Sequence, residues 1–273
     1  MGKAKELVLR PIPAKEAREF VRRVHYSGKV DTRSQVHLGV FWHGSLEGAL
    51  QFGPSLDKRR SIGLVDGTQW HQYLDLHRPA LTDRLPRNSE SRAIAIAMRL
   101  LRRHAPQVKW VLSYADAAQC GDGTIYRASG FVLTGITPNR SMYRMPDGQV
   151  VCKIVFEPGF GPNPSGGSLK DRYGKQGSET AGRFLTRIGA EPVPGFQLRY
   201  IYFLDPSWRS RLTVPEIPFS RIQEMGAGMY RGEKRASEAK ETARLASSGE
   251  TGGASPTRTL WCIISQQEGE NES

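Results

Sequence analysis

Apolar positions change period along the chain, and each change marks an element. Leu7-Val8-Leu9 is a short apolar run that reads as a strand. After the turn-forming Pro11 and Pro13, Ala17, Phe20, Val21 and Val24 fall at helical spacing, which predicts a helix over 14–24. Positions 36–42 then alternate around Leu38, Val40 and Trp42, His43-Gly44-Ser45 supplies a turn, and 46–52 resumes the extended pattern, so a β-hairpin is expected. Positions 55–86 are mixed, with a short helix expected through 70–76 and breaks at Pro79 and Pro86.

The strongest helical signal follows. Asn88 or Ser89 can cap it, Glu90 suits the positive end of the dipole, and Ala93, Ile94, Ala97, Met98, Leu100 and Leu101 form one broad apolar stripe. Arg102-Arg103-His104 suits its other end, and Pro106 stops it. The continuous apolar run 108–114 fits a central strand buried on both faces, with Asp116 just past its end. A short helix over 124–129, ended by Gly130, a strand at 131–133, a hairpin over 143–156 and an alternating strand at 197–204 complete the pattern. The order predicts an α+β fold with a mixed central β-sheet flanked by helices. Neither a G-x-G-x-x-G fingerprint nor a phosphate-binding G-x-x-x-x-G-K-[ST] loop is present.

Composition changes at Pro158. Positions 158–195 are rich in Gly, Pro, Ser, Lys and Arg and are expected to form a flexible basic insertion within one domain spanning 1–225; the charged, Ser/Thr/Gly-rich stretch 226–273 is expected to be a disordered tail. The chain carries 39 Lys and Arg against 27 Asp and Glu, a net +12, which favours a polyanionic partner. Three scattered cysteines, Cys120, Cys152 and Cys262, predict free thiols and exclude a disulfide framework or a thiolate zinc site. No apolar run suits a membrane span, and the charged start lacks a signal-peptide core, so a cytoplasmic protein without a membrane partner is expected.

Several blocks resemble the phage Mom family of DNA-modification proteins. They are His25-Tyr26-Ser27-Gly28-Lys29, His37-Leu38-Gly39-Val40-Phe41, Leu46-Glu47-Gly48 with Gln51-Phe52-Gly53-Pro54-Ser55, Leu85 through Arg92, and Gln119 through Phe131. The resemblance implies a GNAT-like fold, the fold of the N-acetyltransferases. It also implies conversion of adenine to N6-carbamoylmethyladenine in double-stranded DNA, which protects phage DNA from host restriction. A homodimer is compatible with it. The donor it implies is acetyl-CoA or a glycine-derived or aminoacyl compound, since a carbamoylmethyl group has the atoms of a glycine amide. In most proteins of that fold a Q/R-x-x-G-x-G/A loop before the long helix wraps the CoA pyrophosphate. Arg87-Asn88-Ser89-Glu90-Ser91-Arg92 keeps the first position here, but Glu90 and Arg92 replace the glycines. The rival readings are a CoA-dependent N-acetyltransferase acting on a small amine or protein, and a non-catalytic DNA-binding anti-restriction protein.

Candidate site residues follow from both routes. His25 and Tyr26 stand at a helix exit, where an imidazole can move a proton or bind a metal, or where both are structural. Asp116 ends the central strand and is a general base, a metal ligand or a turn aspartate. Tyr126 is a general acid toward a leaving group or a core residue. Arg78 clamps a phosphate or donor carboxylate or is solvated, and Arg87, Ser89, Ser91 and Arg92 are the cofactor-loop candidates. The resemblance links the family to iron, with His25, Tyr26 and Asp116 as ligands. DNA contacts are expected from Lys58-Arg59-Arg60, Arg84, Arg87 and 170–187, and base stacking from Trp42 or Trp70.

Overall fold

The computed structural model describes residues 3–25, 27–116, 121–157, 169–230 and 233–234. After a 3-10 turn at Lys3–Glu6 come strand β1 (Val8–Pro11), helix α1 (Ala14–Val24), and the hairpin of β2 (Val36–Trp42) and β3 (Ser45–Gly53). Next are α2 (Lys58–Ile62), β4 (Tyr73–Leu81), α3 (Ser89–His104), β5 (Trp110–Asp116), α4 (Thr124–Ala128) and β6 (Val132–Pro138). A smaller unit follows: β7 (Met142–Arg144), β8 (Val150–Cys152), α5 (Leu169–Arg172), α6 (Ala181–Arg187) and β9 (Glu191–Pro192). The chain then returns with β10 (Phe196–Phe203), a 3-10 turn at Pro206–Arg211 and α7 (Ser220–Glu224).

Seven strands form the main sheet in the order β1-β2-β3-β4-β5-β10-β6. Every neighbouring pair is antiparallel except β4 and β5, which α3 connects as a parallel pair. This is the mixed α+β sheet expected from the pattern. Alternation along the strands sends Leu38, Val40, Leu50, Phe52, Leu74, Leu76, Val111, Ala115, Leu198 and Tyr200 to one face, where the stripe of α3 covers them. The other face has two separate apolar patches. Phe20 and Val21 of α1 pack on Ala49 and Ala80. Leu64, Val65 and Trp208 pack on Tyr73, Trp110, Leu112 and Ile201. Trp110 anchors this patch: its ring stacks on Tyr73 at 4.8 Å, and its indole N–H donates to Thr68 Oγ1 at 3.1 Å.

Three expectations change. Positions 70–76 do not form a helix: Tyr73, Asp75 and His77 face one side of β4 while Leu74 and Leu76 face the other, and pairing with β3 and β5 outweighs the local preference. Pro79 does not end the element either. Gln51 pairs with His77 and Ala49 with Ala80, so Arg78-Pro79 stands opposite Leu50 alone as a bulge, with Arg78 at φ 42°. A bulge is where a strand tolerates a residue that lacks an N–H. From Leu169 onward the 158–195 stretch is folded, since Leu169, Ala181, Phe184 and Leu185 bury themselves against Met145, Val151 and Phe156 in a core of their own. The remainder of that stretch, 158–168, lies outside the described residues, as does most of 226–273, in which Met229–Tyr230 pairs with Glu233–Lys234.

Gly53 fixes how the loop before β2 crosses the sheet. A Cβ there would sit 2.7 Å from the Arg33 carbonyl oxygen and 2.9 Å from the Ser34 Cα, both backbone atoms. Gly53→Val is therefore expected to lower stability by about 1–3 kcal/mol, read as a fall in the urea midpoint without change in slope.

Candidate active site at the parting of two strands

The parallel pair is short. Tyr73 pairs with Trp110, Leu74 with Val111 and Asp75 with Leu112, and there the ladder ends while both strands continue. The bulge at Arg78-Pro79 carries β4 along β3 and away from β5. Across the gap Ser113 Oγ reaches the Leu76 carbonyl at 3.5 Å, a weak substitute for the missing rungs. The carboxyl ends of parallel strands that part are a common place for ligands in open sheets.

On the face away from α3, between the two apolar patches, the residues around this gap are polar. His77, 6% exposed, shares a 2.8 Å hydrogen bond between Nδ1 and Ser34 Oγ, and Asp31 Oδ2 lies 3.8 Å from the same nitrogen. Among the described residues its Nε2 has no hydrogen-bond partner, nor has the Oε1 of Gln51 on the neighbouring strand. Burial drives the His77 ring down to about 4, against the pull of Asp31. Asp31 is bound by Arg33 through both carboxylate oxygens; burial raises its carboxyl, but the Arg33 hydrogen bond and the nearby His77 outweigh it, and the net shift is downward. Asp75, on the last rung, accepts a hydrogen bond from Ser55 Oγ at 3.1 Å, and burial pushes its carboxyl up to about 7. One position beyond the last rung on this face of β5 is Tyr114, 39% exposed, its hydroxyl pKa raised by burial and by Asp75. Arg199 of β10 lies opposite Tyr114 and donates to Thr134 Oγ1 and to the Thr134 carbonyl at 3.0 and 2.7 Å.

None of Asp31, Arg33, Ser34, Asp75, His77 and Tyr114 stands out in the sequence as a motif. The available signal was polar Asp75 and His77 alternating with Leu74 and Leu76, a pattern hidden by the helical reading of the segment.

The sequence-derived candidates are divided between several places. His25, at the exit of α1, shares its Nδ1 with Ser27 Oγ at 2.9 Å, and burial together with the Arg78 charge lowers it to about 4. Arg78 reaches from the bulge of β4 to donate to the same Ser27 Oγ at 2.7 Å and to the Lys29 carbonyl at 3.3 Å, so it ties the His25 turn to the bulge. Asp116 is on the face that carries Tyr114 and pairs with Gln197, four residues beyond the last rung and roughly 13 Å along an extended strand. Tyr126, 4% exposed, packs on Phe131 and Tyr200 on the α3 side, which suits its core alternative. Tyr26 lies outside the described residues.

The loop before α3 does not match a pyrophosphate cradle. Ser89 is buried and its hydroxyl donates to the Pro86 carbonyl at 2.5 Å, while the Ser91 hydroxyl donates to the Asn88 carbonyl at 3.2 Å. Both hydroxyls are engaged with backbone carbonyls, Asn88 takes φ 70° without capping the helix through its side chain, and Glu90 puts an anion in the first turn. Arg87 is exposed, and Arg92 has a buried Nε without a partner among the described residues. For iron, no group of three or more His, Cys, Asp or Glu side chains among the described residues is placed to hold a metal. The Arg78 guanidinium beside His25 also opposes a second cation there.

Of the expected DNA contacts, Lys58, Arg59 and Arg60 are exposed on α2, close behind Ser55, and the intervening Leu56 is 57% exposed. Arg84 is instead held by the buried Glu47 at 3.0 Å, which Thr82 also binds. Arg172 and Arg187 pair with Asp147 and Glu179, and the Lys175 ammonium binds the Glu179 carbonyl. Trp42 packs at the margin of the main core, and Trp70 lies before β4, on the far side of the last rung from the gap.

Comparison with known proteins places residues 6–221 in a match to the Mom protein family. The methylcarbamoylase mom of Escherichia phage Mu is 41% identical over 154 residues, which cover 56% of this chain and 63% of the relative. Among solved structures, a ribosomal-protein-S18-alanine N-acetyltransferase from Escherichia coli aligns at 10% identity over 73% of this chain and 94% of its own, with a TM-score of 0.39. A spermidine/spermine N-acetyltransferase from Vibrio cholerae aligns at 8% identity over 76% and 98%, with a TM-score of 0.41.

Two opposite pH limbs follow from the buried groups. The fold favours neutral His77, so the stability it contributes is complete above pH 6.5 and is lost as pH falls toward about 4. The fold favours the acid form of Asp75, so its contribution is complete below pH 3.8 and is lost as pH rises toward about 7. His77→Gln should flatten the acid limb by about 2–3 kcal/mol in urea melts. Asp75→Asn should gain on the parent as pH rises from 4 to 7. A parent-like acid limb in His77→Gln would refute the first assignment.

Proposed function

This chain belongs to the Mom protein family, and we propose that it is a transferase that modifies the N6 amino group of adenine in double-stranded DNA. The product we infer is N6-carbamoylmethyladenine, and protection of phage DNA from restriction is its use. The observation that carries this reading is the polar gap between the carboxyl ends of β4 and β5, with the exposed cations of α2 on the segment that follows Ser55. Support also comes from the name of the phage Mu relative. A parallel pair that parts beside a bulged strand, with a long helix crossing between them, supports a GNAT-like reading of the fold.

The reaction makes one bond from N6 to the methylene carbon of the donor, breaks the bond from that carbon to the donor's leaving group, which departs with the bonding electron pair, and releases one N6 proton. In the duplex adenine shows one N6–H in the major groove, but its other N–H is paired and the faces of N6 are covered by stacked neighbours, so bond formation at N6 calls for the base to be extruded. Lys58, Arg59 and Arg60 hold backbone phosphates near the gap, and Leu56 is an apolar side chain suited to fill the vacated stack. Neutral His25 or Asp116 takes up the N6 proton; His25 is uncharged at neutral pH because burial holds it at about 4. Arg78 positions the His25 turn through Ser27. A glycine-derived or aminoacyl donor suits the chain better than acetyl-CoA, because Glu90 opposes a pyrophosphate and the Ser89 and Ser91 hydroxyls are already engaged with backbone carbonyls.

Expressed in bacteria, the protein should yield a modified deoxyadenosine in the mass spectrum of digested DNA. Asp116→Ala should lower its amount by about 10²-fold or more. DNA that remains unmodified although the protein is folded and soluble overturns the reading, and tight acetyl-CoA binding would then favour an N-acetyltransferase of small amines or proteins. Full protection of DNA by Asp116→Ala without any modified nucleoside would favour a non-catalytic DNA-binding protein.

A second measurement addresses the DNA surface. Replacing Lys58, Arg59 and Arg60 with Ala should weaken duplex binding for every sequence and lower the salt dependence of affinity by about 0.9 in slope for each phosphate no longer neutralised. An unchanged slope removes α2 from the interface.

A further inference from the structure

Tyr114 is an anomaly in its strand. β5 is flanked on both sides and its other residues are buried or half-buried, yet Tyr114, in the middle of the sheet face, is 39% exposed. Neither apolar patch of that face includes it: α1 covers the region of Ala49 and Ala80, and the Trp208 cluster ends at Leu112. Tyr114 thus offers an aromatic side chain, part of it exposed, where the strands part. Asp75 stands across the gap at the last rung, and the segment that begins with Ser55 runs directly into the cations of α2.

We propose that the extruded adenine lies on the ring of Tyr114 with its N1 and N6 edge against the carboxyl group of Asp75. This rests on the adenine-modifying reading above and adds to it the residues that receive the base. Stacking on an aromatic ring binds a base through its π-face and leaves its edge free to be read. Adenine offers there one donor, N6–H, beside one acceptor, N1. A carboxylic acid matches both, its carbonyl oxygen accepting from N6–H and its O–H donating to N1. A carboxylate has no donor for N1.

The setting of Asp75 favours the acid form: burial pushes its carboxyl up to about 7, and Asp31 works in the same direction. The Ser55 hydrogen bond and the Arg33 charge oppose it, and Tyr114 faces it from β5. His77, two residues along β4, is driven neutral by its own burial and adds no positive charge near neutral pH. Uptake of the N6 proton stays with Asp116 or His25, so the base-reading and proton-accepting roles belong to different residues.

The test uses the full chain, expressed in bacteria, with modified deoxyadenosine counted in digested DNA and duplex binding measured separately by gel shift. Tyr114→Phe keeps the ring and should lose no more than about threefold in modification, whereas Tyr114→Ala should lose at least about tenfold. Asp75→Asn restores one acceptor and one donor side by side, and Asp75→Leu removes both; the asparagine variant should modify at least about tenfold more DNA than the leucine variant. Gel-shift affinity of all four should remain within about threefold of the parent, because phosphate contacts dominate it. Tyr114→Ala or Asp75→Leu at the parent's level of modification overturns the proposal. So does Asp75→Asn as inactive as Asp75→Leu, since that outcome requires the charge and makes Asp75 a proton acceptor. Absence of modified nucleoside in the parent refutes the adenine-modifying reading itself and is distinct from these results.

Discussion

Backbone pairing between β4 and β5 lasts three rungs, and the organisation of the site depends on where it stops. A sheet interior cannot leave N–H and C=O groups unpaired without cost, so a parting of strands persists only where other groups take over. Arg78-Pro79 provides the geometric cause. Proline has no N–H to offer a neighbour, Arg78 adopts a positive φ, and the bulge directs β4 along β3. Arg78 then turns this irregularity to use by binding Ser27 and the Lys29 carbonyl, which fastens the loop carrying His25 to the same strand.

The polar cluster beside the gap is the energetic counterpart of that parting. Asp31, Arg33, Ser34 and His77 bind one another through short links, although His77 Nε2 and Arg33 Nη1 have no partner among the described residues, while Gly53 lets their loop lie flat on the sheet. Burial keeps the His77 imidazole neutral and brings the Asp75 carboxyl to about 7, so that its acid and ionised forms are both populated near neutral pH, and groups with such shifts gather at sites of chemistry more often than elsewhere. Two apolar patches flank this stretch, one under α1 and one around Trp110.

Charge is distributed less simply than the net +12 suggests. Arg84 neutralises buried Glu47, and Arg172 and Arg187 serve the small unit built around Phe156 and Phe184. The cations of α2 are exposed and adjoin the gap, with Arg60 held only loosely by Asp57 at 3.7 Å. Their position relative to the gap, more than the total charge, is what the proposed DNA contact rests on.

Local pattern in the sequence was enough for the elements whose periodicity agrees with their final burial: α1, the β2–β3 hairpin, α3, β5 and β10 each bury the stripe or alternate face that their residues announce. The ordered blocks from His25 to Phe131 were enough for the family. Tertiary structure decided the rest. It made 73–81 a strand because pairing on both sides outweighs a helical spacing of apolar residues, and it folded 169–195 because Phe184 and Leu185 found Phe156 and Met145 across the chain. It also brought Asp31, Asp75 and Tyr114 to one place from three segments. Such a site has no signature along the chain, because its residues become neighbours only when β4 has left β5.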